Sequence, residues 1–173
     1  GRAADTLVVF LADHGDMMGD HGLQLKSFYT FAGCIRIPTI IAAPDGVAGC
    51  VSDALVAQVD LLPSVLDYCG VPLSSGDWAT ETDAYERGAV QPLQLYPGRS
   101  WRPLVTGAAE RIRDDVVIEN DDPTTGFRVR CLVTPTHRLT VYPGTPDGEL
   151  FDIEADPDEL HNLWCTQPEL RQQ

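Results

Sequence analysis

Two continuous apolar segments constrain the fold of this chain more than any other feature. They occupy residues 6–12 (TLVVFLA) and 39–43 (TIIAA), and both are rich in aliphatic and β-branched side chains. Uninterrupted runs of this kind are typical of strands that are buried on both faces, as in a mainly parallel sheet covered by helices. We therefore predict an α/β fold in which both segments are strands.

The final third of the chain has a different pattern. Four short strand candidates follow one another with tight connections, at residues 116–120, 127–134, 137–142 and 149–153. Short strands joined by tight connections indicate an antiparallel sheet. Asp156 followed by Pro157 predicts the start of a terminal helix over residues 156–163. Together these elements predict a small α+β subdomain.

Helix signals and composition then give the predicted domain boundaries. Residues 60–70 predict a helix that Asp60 caps and Gly70 ends, and residues 28–32 predict a short one. The stretch between Gly70 and the first strand candidate of the final third is rich in proline, glycine and serine. We therefore predict an α/β part over 1–70, an irregular linker over 71–115 and the subdomain over 116–173.

Charge and cysteine spacing exclude several classes of protein. The formal net charge is −14, which argues against nucleic acid and anionic membrane surfaces as partners, and no apolar run has the length of a membrane span. The five cysteines form no C-x-x-C pair, so a zinc ribbon is not expected. We expect the cysteines to be small buried residues of the core. Because the chain begins at Gly1 and enters a strand almost at once, we expect a segment to precede it. Localisation and oligomeric state stay open.

The chemistry-bearing stretch is DHGDMMGDHGLQLK, from Asp13 to Lys26. Asp13 and His14 follow a buried strand, at the sheet edge where α/β proteins bind ligands, and they offer an oxygen and a nitrogen ligand to a metal. Gly15 allows the turn that would bring both side chains to one ion. Lys26 follows a glycine-punctuated loop that can return it to the same edge, where an anion would lie between the lysine and the metal.

Two plainer interpretations of this stretch remain open. The acidic and histidine side chains of the loop, at Asp16, Asp20 and His21, can be solvated surface groups. His14 and His21 can instead be two zinc ligands, although no further cysteine or histidine nearby completes such a site.

The stretch resembles the metal-and-lysine motif of sulfatases, a branch of the alkaline phosphatase superfamily. That motif is a strand, D-H-G-(D/E), G-(D/E)-H-G, a short spacer and a lysine. Four further segments follow in the family's order: RIPTIIAAP, VDLLPSVLDYCGVPL, GRSWRPLVTG and GELFDIEADPDELHNL. Five collinear motifs are a far stronger signal than one.

The resemblance implies the C-terminal portion of an arylsulfatase- or choline-sulfatase-like enzyme with an alkaline-phosphatase-like sheet. It implies that Asp13 and His14 are metal ligands and that Lys26 is a catalytic residue that contacts sulfate. The implied metal is divalent, calcium being the family's usual ion, with manganese and magnesium open. The implied substrate is a small-molecule or carbohydrate sulfate ester.

The sequence departs from the family at the nucleophile. Sulfatases use a formylglycine made in the motif C/S-x-P-x-R, and no cysteine or serine here is followed by that pattern. The resemblance places the formylglycine and the family's other metal carboxylates in a preceding segment. Two alternatives to a sulfatase stay open: a phosphonate monoester hydrolase or phosphodiesterase of the same superfamily, and a non-catalytic chain that acts only by binding.

Overall fold

The computed structural model describes residues 1–71 and 97–172. The predicted linker falls largely outside the described residues, so the domain boundaries at 70 and 115 stay predictions. The chain divides into two compact units, of which the first contains Gly1–Val8 with Ile41–Ile112 and the second contains Val9–Ile40 with Arg113–Gln173.

The described residues form six strands, three α-helices and several short 3-10 turns. The strands are β1 (Val8–Leu11), β2 (Thr39–Ala42), β3 (Val116–Asp121), β4 (Arg128–Val133), β5 (His137–Val141) and β6 (Gly148–Asp152); the helices are α1 (Ala32–Ile35), α2 (Leu61–Tyr68) and α3 (Arg102–Val105); the 3-10 turns are Ala3–Asp5, Asp20–Gly22, Gln58–Asp60 and Leu170–Gln172.

Strands β1 and β2 pair in a two-stranded sheet, so both apolar segments are strands as predicted. The expectation that they are buried on both faces is wrong for the described residues. Val8, Phe10 and Ile40 are each more than half exposed. Side chains alternate across a strand, and in β1 the exposed Val8 and Phe10 alternate with the partly buried Val9 and Leu11, so one row of its side chains is exposed.

In the first unit, the predicted helix over 60–70 is α2. Gly70 follows it with φ 71°, the left-handed conformation that ends many helices. Asp60 does not cap α2 with its side chain, contrary to the prediction. Its buried carboxylate instead accepts the backbone N–H groups of Ala57 and Arg99, both at 2.8 Å. Asp60 thereby joins two chain segments that are distant in sequence.

In the second unit, β3, β4, β5 and β6 form an antiparallel sheet in sequence order. All four predicted strands are therefore confirmed to within one or two residues. Val129, Cys131 and Phe151 are almost fully buried on one face of this sheet, and Leu150 is almost fully buried on the other face. The fold class is α/β with an antiparallel sheet, as predicted.

The predicted terminal helix does not form. Residues 156–163 contain one turn, at Pro157 and Asp158, and are otherwise irregular. Glu159 has φ 51°, a backbone angle through which no right-handed helix continues. The carboxylate of Glu159 is buried and pairs with Arg138 of β5. This ion pair takes precedence over the helical signal of Asp156 and Pro157.

Two smaller predictions are also corrected. The helix expected over 28–32 begins only at Ala32, because Phe31 has an extended backbone with ψ 154°. Only two of the five cysteines are buried, Cys34 and Cys131, whereas Cys50, Cys69 and Cys165 are exposed.

Among the residues that the structure describes, no helix combines the length and apolarity that a membrane span requires.

Candidate functional site

The turn that follows β1 brings two neighbouring polar side chains to the same side of the backbone. Asp13 Oδ1 accepts the backbone N–H of His14 at 3.0 Å, and Asp13 Oδ2 lies 3.5 Å from His14 Nε2. The hydrogen bond from the His14 backbone holds the pKa of Asp13 below its usual value. Asp13 is thus an exposed, ionised carboxylate beside an imidazole.

The hydrogen bonds of His14 assign the tautomer of its neutral ring. His14 Nδ1 lies 2.7 Å from the Gly15 carbonyl oxygen, and a carbonyl oxygen can only accept, so Nδ1 carries the proton. Nε2 therefore presents its lone pair on the side of Asp13. Lys26 Nζ donates to this lone pair at 2.7 Å. A backbone carbonyl that orients a histidine in this way is a common support for metal-binding imidazoles.

Gly15 is required by the packing of the turn. A Cβ atom on Gly15 would lie 1.9 Å from the Gly33 carbonyl oxygen, a distance that excludes every other residue type. The Gly15 N–H donates to the Cys34 carbonyl oxygen at 2.8 Å. The turn that carries Asp13 and His14 therefore rests directly on α1.

A tight loop returns the chain to this turn and delivers Lys26. Met17 N–H donates to the Leu25 carbonyl oxygen at 3.2 Å, and Gly19 N–H donates to that of Leu23 at 2.8 Å. Left-handed backbone occurs repeatedly in the loop, including at Leu25, where φ is 67°. Backbone strain of this kind is often found at functional sites.

The structure thus brings together the three residues predicted for the site: Asp13, His14 and Lys26. The other polar residues of the motif have different partners. Asp16 Oδ1 accepts the Met18 N–H at 3.1 Å, and the His21 ring stacks on Phe31 with 4.0 Å between ring centroids. The described residues contain no group of three or more histidine, cysteine, aspartate or glutamate side chains arranged for a metal, so they give the zinc interpretation no complete ligand set.

Asp13 and His14 nevertheless fit two neighbouring positions around one divalent ion. Their donor atoms lie 3.5 Å apart. At the roughly 2.3–2.6 Å typical of calcium–ligand distances, such a pair subtends roughly 85–100° at the metal. That range includes the angle between adjacent ligands of an octahedral ion. The pair can therefore supply one oxygen and one nitrogen ligand, and the remaining ligands must come from elsewhere.

Sequence reasoning missed the residues that hold α1 beneath the site. Glu159 Oε2 accepts the Ala32 N–H at 2.7 Å and so satisfies a donor in the first turn of α1. Glu159 is itself paired with the buried Arg138. The sequence carries no local signal for this arrangement: Arg138 and Thr140 alternate with Leu139 in β5, a pattern that predicts exposed polar side chains, whereas the structure buries both polar residues.

Comparison with known proteins assigns the family. The sulfatase family model matches residues 1–71. The chain is 31% identical to the choline-sulfatase of Rhizobium meliloti over 159 residues, which cover 92% of this chain and 27% of that protein. The chain spans about a quarter to a third of the length of the curated relatives it matches.

Solved structures give the same result. A 2-O GAG sulfatase matches with a TM-score of 0.77 and 25% identity, covering 96% of this chain and 33% of its own. A phosphonate monoester hydrolase from Silicibacter pomeroyi matches with a TM-score of 0.71 and 26% identity, covering 92% of this chain and 31% of its own. The sequence motifs, the fold and these similarities agree: the chain belongs to the sulfatase family, within the alkaline phosphatase superfamily.

Proposed function

We propose that this chain supplies part of a metal-dependent site that hydrolyses sulfate esters. The observation that carries the proposal is that His14 Nε2 lies 3.5 Å from Asp13 Oδ2 and 2.7 Å from Lys26 Nζ. It places a carboxylate, an imidazole lone pair and an ammonium group in one cluster. Ligands for a divalent cation and a donor for an anion are thereby adjacent.

Asp13 and His14 would hold the metal, calcium in the first instance, with manganese or magnesium as alternatives. When bound, the metal supplies positive charge that polarises sulfate oxygens. Asp13 is suited to this role because its lowered pKa keeps it ionised. His14 is suited because the Gly15 carbonyl fixes its Nδ1–H tautomer and leaves Nε2 available.

Lys26 would bind a sulfate oxygen. Its Nζ donates to His14 Nε2 in this structure, so binding of a metal at that lone pair would release the ammonium group toward an anion beside the metal. An ammonium group in that position stabilises the negative charge that develops as the ester bond breaks. We propose a small-molecule or carbohydrate sulfate ester as the substrate, the latter because a 2-O GAG sulfatase is among the structural relatives.

The nucleophile would be a formylglycine provided by a segment outside these 173 residues, since the sequence contains no C/S-x-P-x-R motif. Positioned cations without a nucleophile give little acceleration. We therefore predict that residues 1–173 alone do not hydrolyse an aryl sulfate in the presence of calcium or manganese. Rapid turnover by this chain would contradict the assignment of the nucleophile.

A phosphonate monoester hydrolase is the second candidate, because a solved enzyme of that class has the same fold over 92% of this chain. The test is to assay the gene product that joins this sequence to a formylglycine segment with an aryl sulfate and an aryl phosphonate monoester. A larger kcat/KM for the sulfate supports the proposal. A larger kcat/KM for the phosphonate replaces it with the second candidate.

A further inference from the structure

A buried cation lies in the middle of β5. The side chain of Arg138 is 1% exposed, and its Nε donates to Glu159 while its Nη1 donates to Glu149 Oε2 at 2.9 Å. Replacing buried ion pairs by apolar residues is often neutral or stabilising. The stability of the sheet therefore does not by itself account for a guanidinium group at this position.

The contacts of Arg138 converge on the segment that opens α1. Arg138 Nη1 donates to Thr30 Oγ1 at 2.7 Å, and the guanidinium carbon lies 4.9 Å from the centre of the Phe31 ring. Glu159, held by Arg138, accepts the Ala32 N–H. Three consecutive residues are thus fixed by one buried ion pair.

Two contacts connect this segment to the candidate site. The carbonyl oxygen of Cys34 in α1 accepts the Gly15 N–H at 2.8 Å, and the Gly15 carbonyl orients His14. The Phe31 ring stacks on His21, which lies in the loop that leads to Lys26. A shift of α1 would therefore move both sides of the contact between His14 and Lys26.

We propose that Arg138 is a positioning residue: through Glu159 and Thr30 it holds α1 in the place that sets the His14–Lys26 contact. The importance of that contact for hydrolysis rests on the proposed function, whereas the positioning itself does not. Arg138 touches neither of the two side chains that it positions. The geometry assigns it a role that a residue stabilising only the sheet would not have.

The test uses residues 1–173 without metal. Lys26 is the only lysine in the sequence, so lysine and histidine labelled with ¹³C and ¹⁵N report on one amine and four imidazoles. The nuclear Overhauser effect between the Lys26 Hε protons and the His14 ring measures their contact. Arg138→Met combined with Glu159→Gln removes both buried charges, and Arg130→Met is the matched control, because Arg130 pairs with Glu119 and Asp121 at the surface of the same sheet.

We expect the double variant to lose at least half of this Overhauser effect, while the amide signals of β3–β6 show that the sheet is still folded. The control should keep the full effect. Thr30→Val is isosteric, removes one link only, and is expected to reduce the effect as well, so the inference remains testable where the double variant does not fold. A folded double variant, or a folded Thr30→Val, with the full effect would overturn the proposal.

A second arm separates this inference from the proposed function. Manganese added to the unaltered chain should broaden the His14 signals before those of His137 and His161, and the variants should bind it about 10-fold more weakly, as for other residues that orient metal ligands. Failure of manganese to broaden His14 in the unaltered chain would contradict the proposed metal site. The role of Arg138 would still be decided by the Overhauser measurement.

Discussion

Gly15→Ala is the substitution whose consequence follows most directly from the structure. The added Cβ would lie 1.9 Å from the Gly33 carbonyl oxygen, and real Cβ atoms essentially never approach within 3.0 Å of such an atom. The turn and α1 must therefore separate by at least 1.1 Å, the difference between these two distances. That separation also lengthens the hydrogen bond from Gly15 to Cys34 beyond its present 2.8 Å.

The magnitude combines these two effects. Overpacking of this kind costs roughly 1–3 kcal/mol and a lost hydrogen bond about 1 kcal/mol, so the free energy of unfolding should fall by about 2–4 kcal/mol. The matched control is Gly126→Ala, where nothing lies within 4 Å of the added atom and only the φ of 73° is unfavourable. That conformational cost is about 1–2 kcal/mol.

The assay is urea unfolding of residues 1–173, together with the Lys26–His14 Overhauser effect in the folded protein. Gly15→Ala should unfold at lower urea than Gly126→Ala and should lose the contact, which Gly126→Ala keeps. Equal stability of the two variants, with the contact intact in both, would refute the close packing of the turn on α1.

Two further predictions concern charged residues. Lys26→Met removes the ammonium group that competes with a metal for His14 Nε2, so manganese should bind several-fold more tightly by titration calorimetry; unchanged affinity, relative to an Arg128→Met control, would contradict the competition. Arg138→Met leaves Glu159 buried without its partner and should lower the free energy of unfolding by about 3–5 kcal/mol. Urea unfolding should show that adding Glu159→Gln restores part of this loss. A double variant no more stable than Arg138→Met would contradict the unpaired Glu159 charge as the cause.

Strand positions could be predicted well because their signals are local. The alternation of apolar side chains and the tight connection at Pro135 locate β4 and β5 to within one or two residues. The cluster of Asp13, His14 and Lys26 could be predicted as well, because the glycines around them allow the turns that return the chain to the end of β1. The roles of these three residues stay predictions.

What the sequence did not reveal depends on contacts between distant segments. Asp156 and Pro157 are good helix-starting residues, yet Glu159 leaves the helical conformation to reach Arg138, 21 positions away. Asp60 is a residue type that often caps helices, but its carboxylate accepts the backbone N–H of Arg99 instead. In both cases a buried carboxylate satisfies distant donors, and no local pattern reports such a partner.

The burial of β1 was overestimated for a related reason. A continuous apolar run predicts cover on both faces only if other elements supply that cover. Phe10 is 60% exposed in the described part of the chain. Composition gives the preference of a strand for burial, and the elements around it decide whether that preference is met.

The central claim is that Lys26, beside Asp13 and His14, binds the sulfate group during hydrolysis. The most direct measurement is kcat/KM for an aryl sulfate, at saturating calcium or manganese, in the gene product that contains this sequence and a formylglycine segment. Lys26→Ala should lower kcat/KM by about 10²–10³-fold, as expected for removal of one donor to the developing charge, while the exposed cation control Arg128→Ala should stay within about twofold. Activity of Lys26→Ala equal to that of Arg128→Ala would contradict the claim.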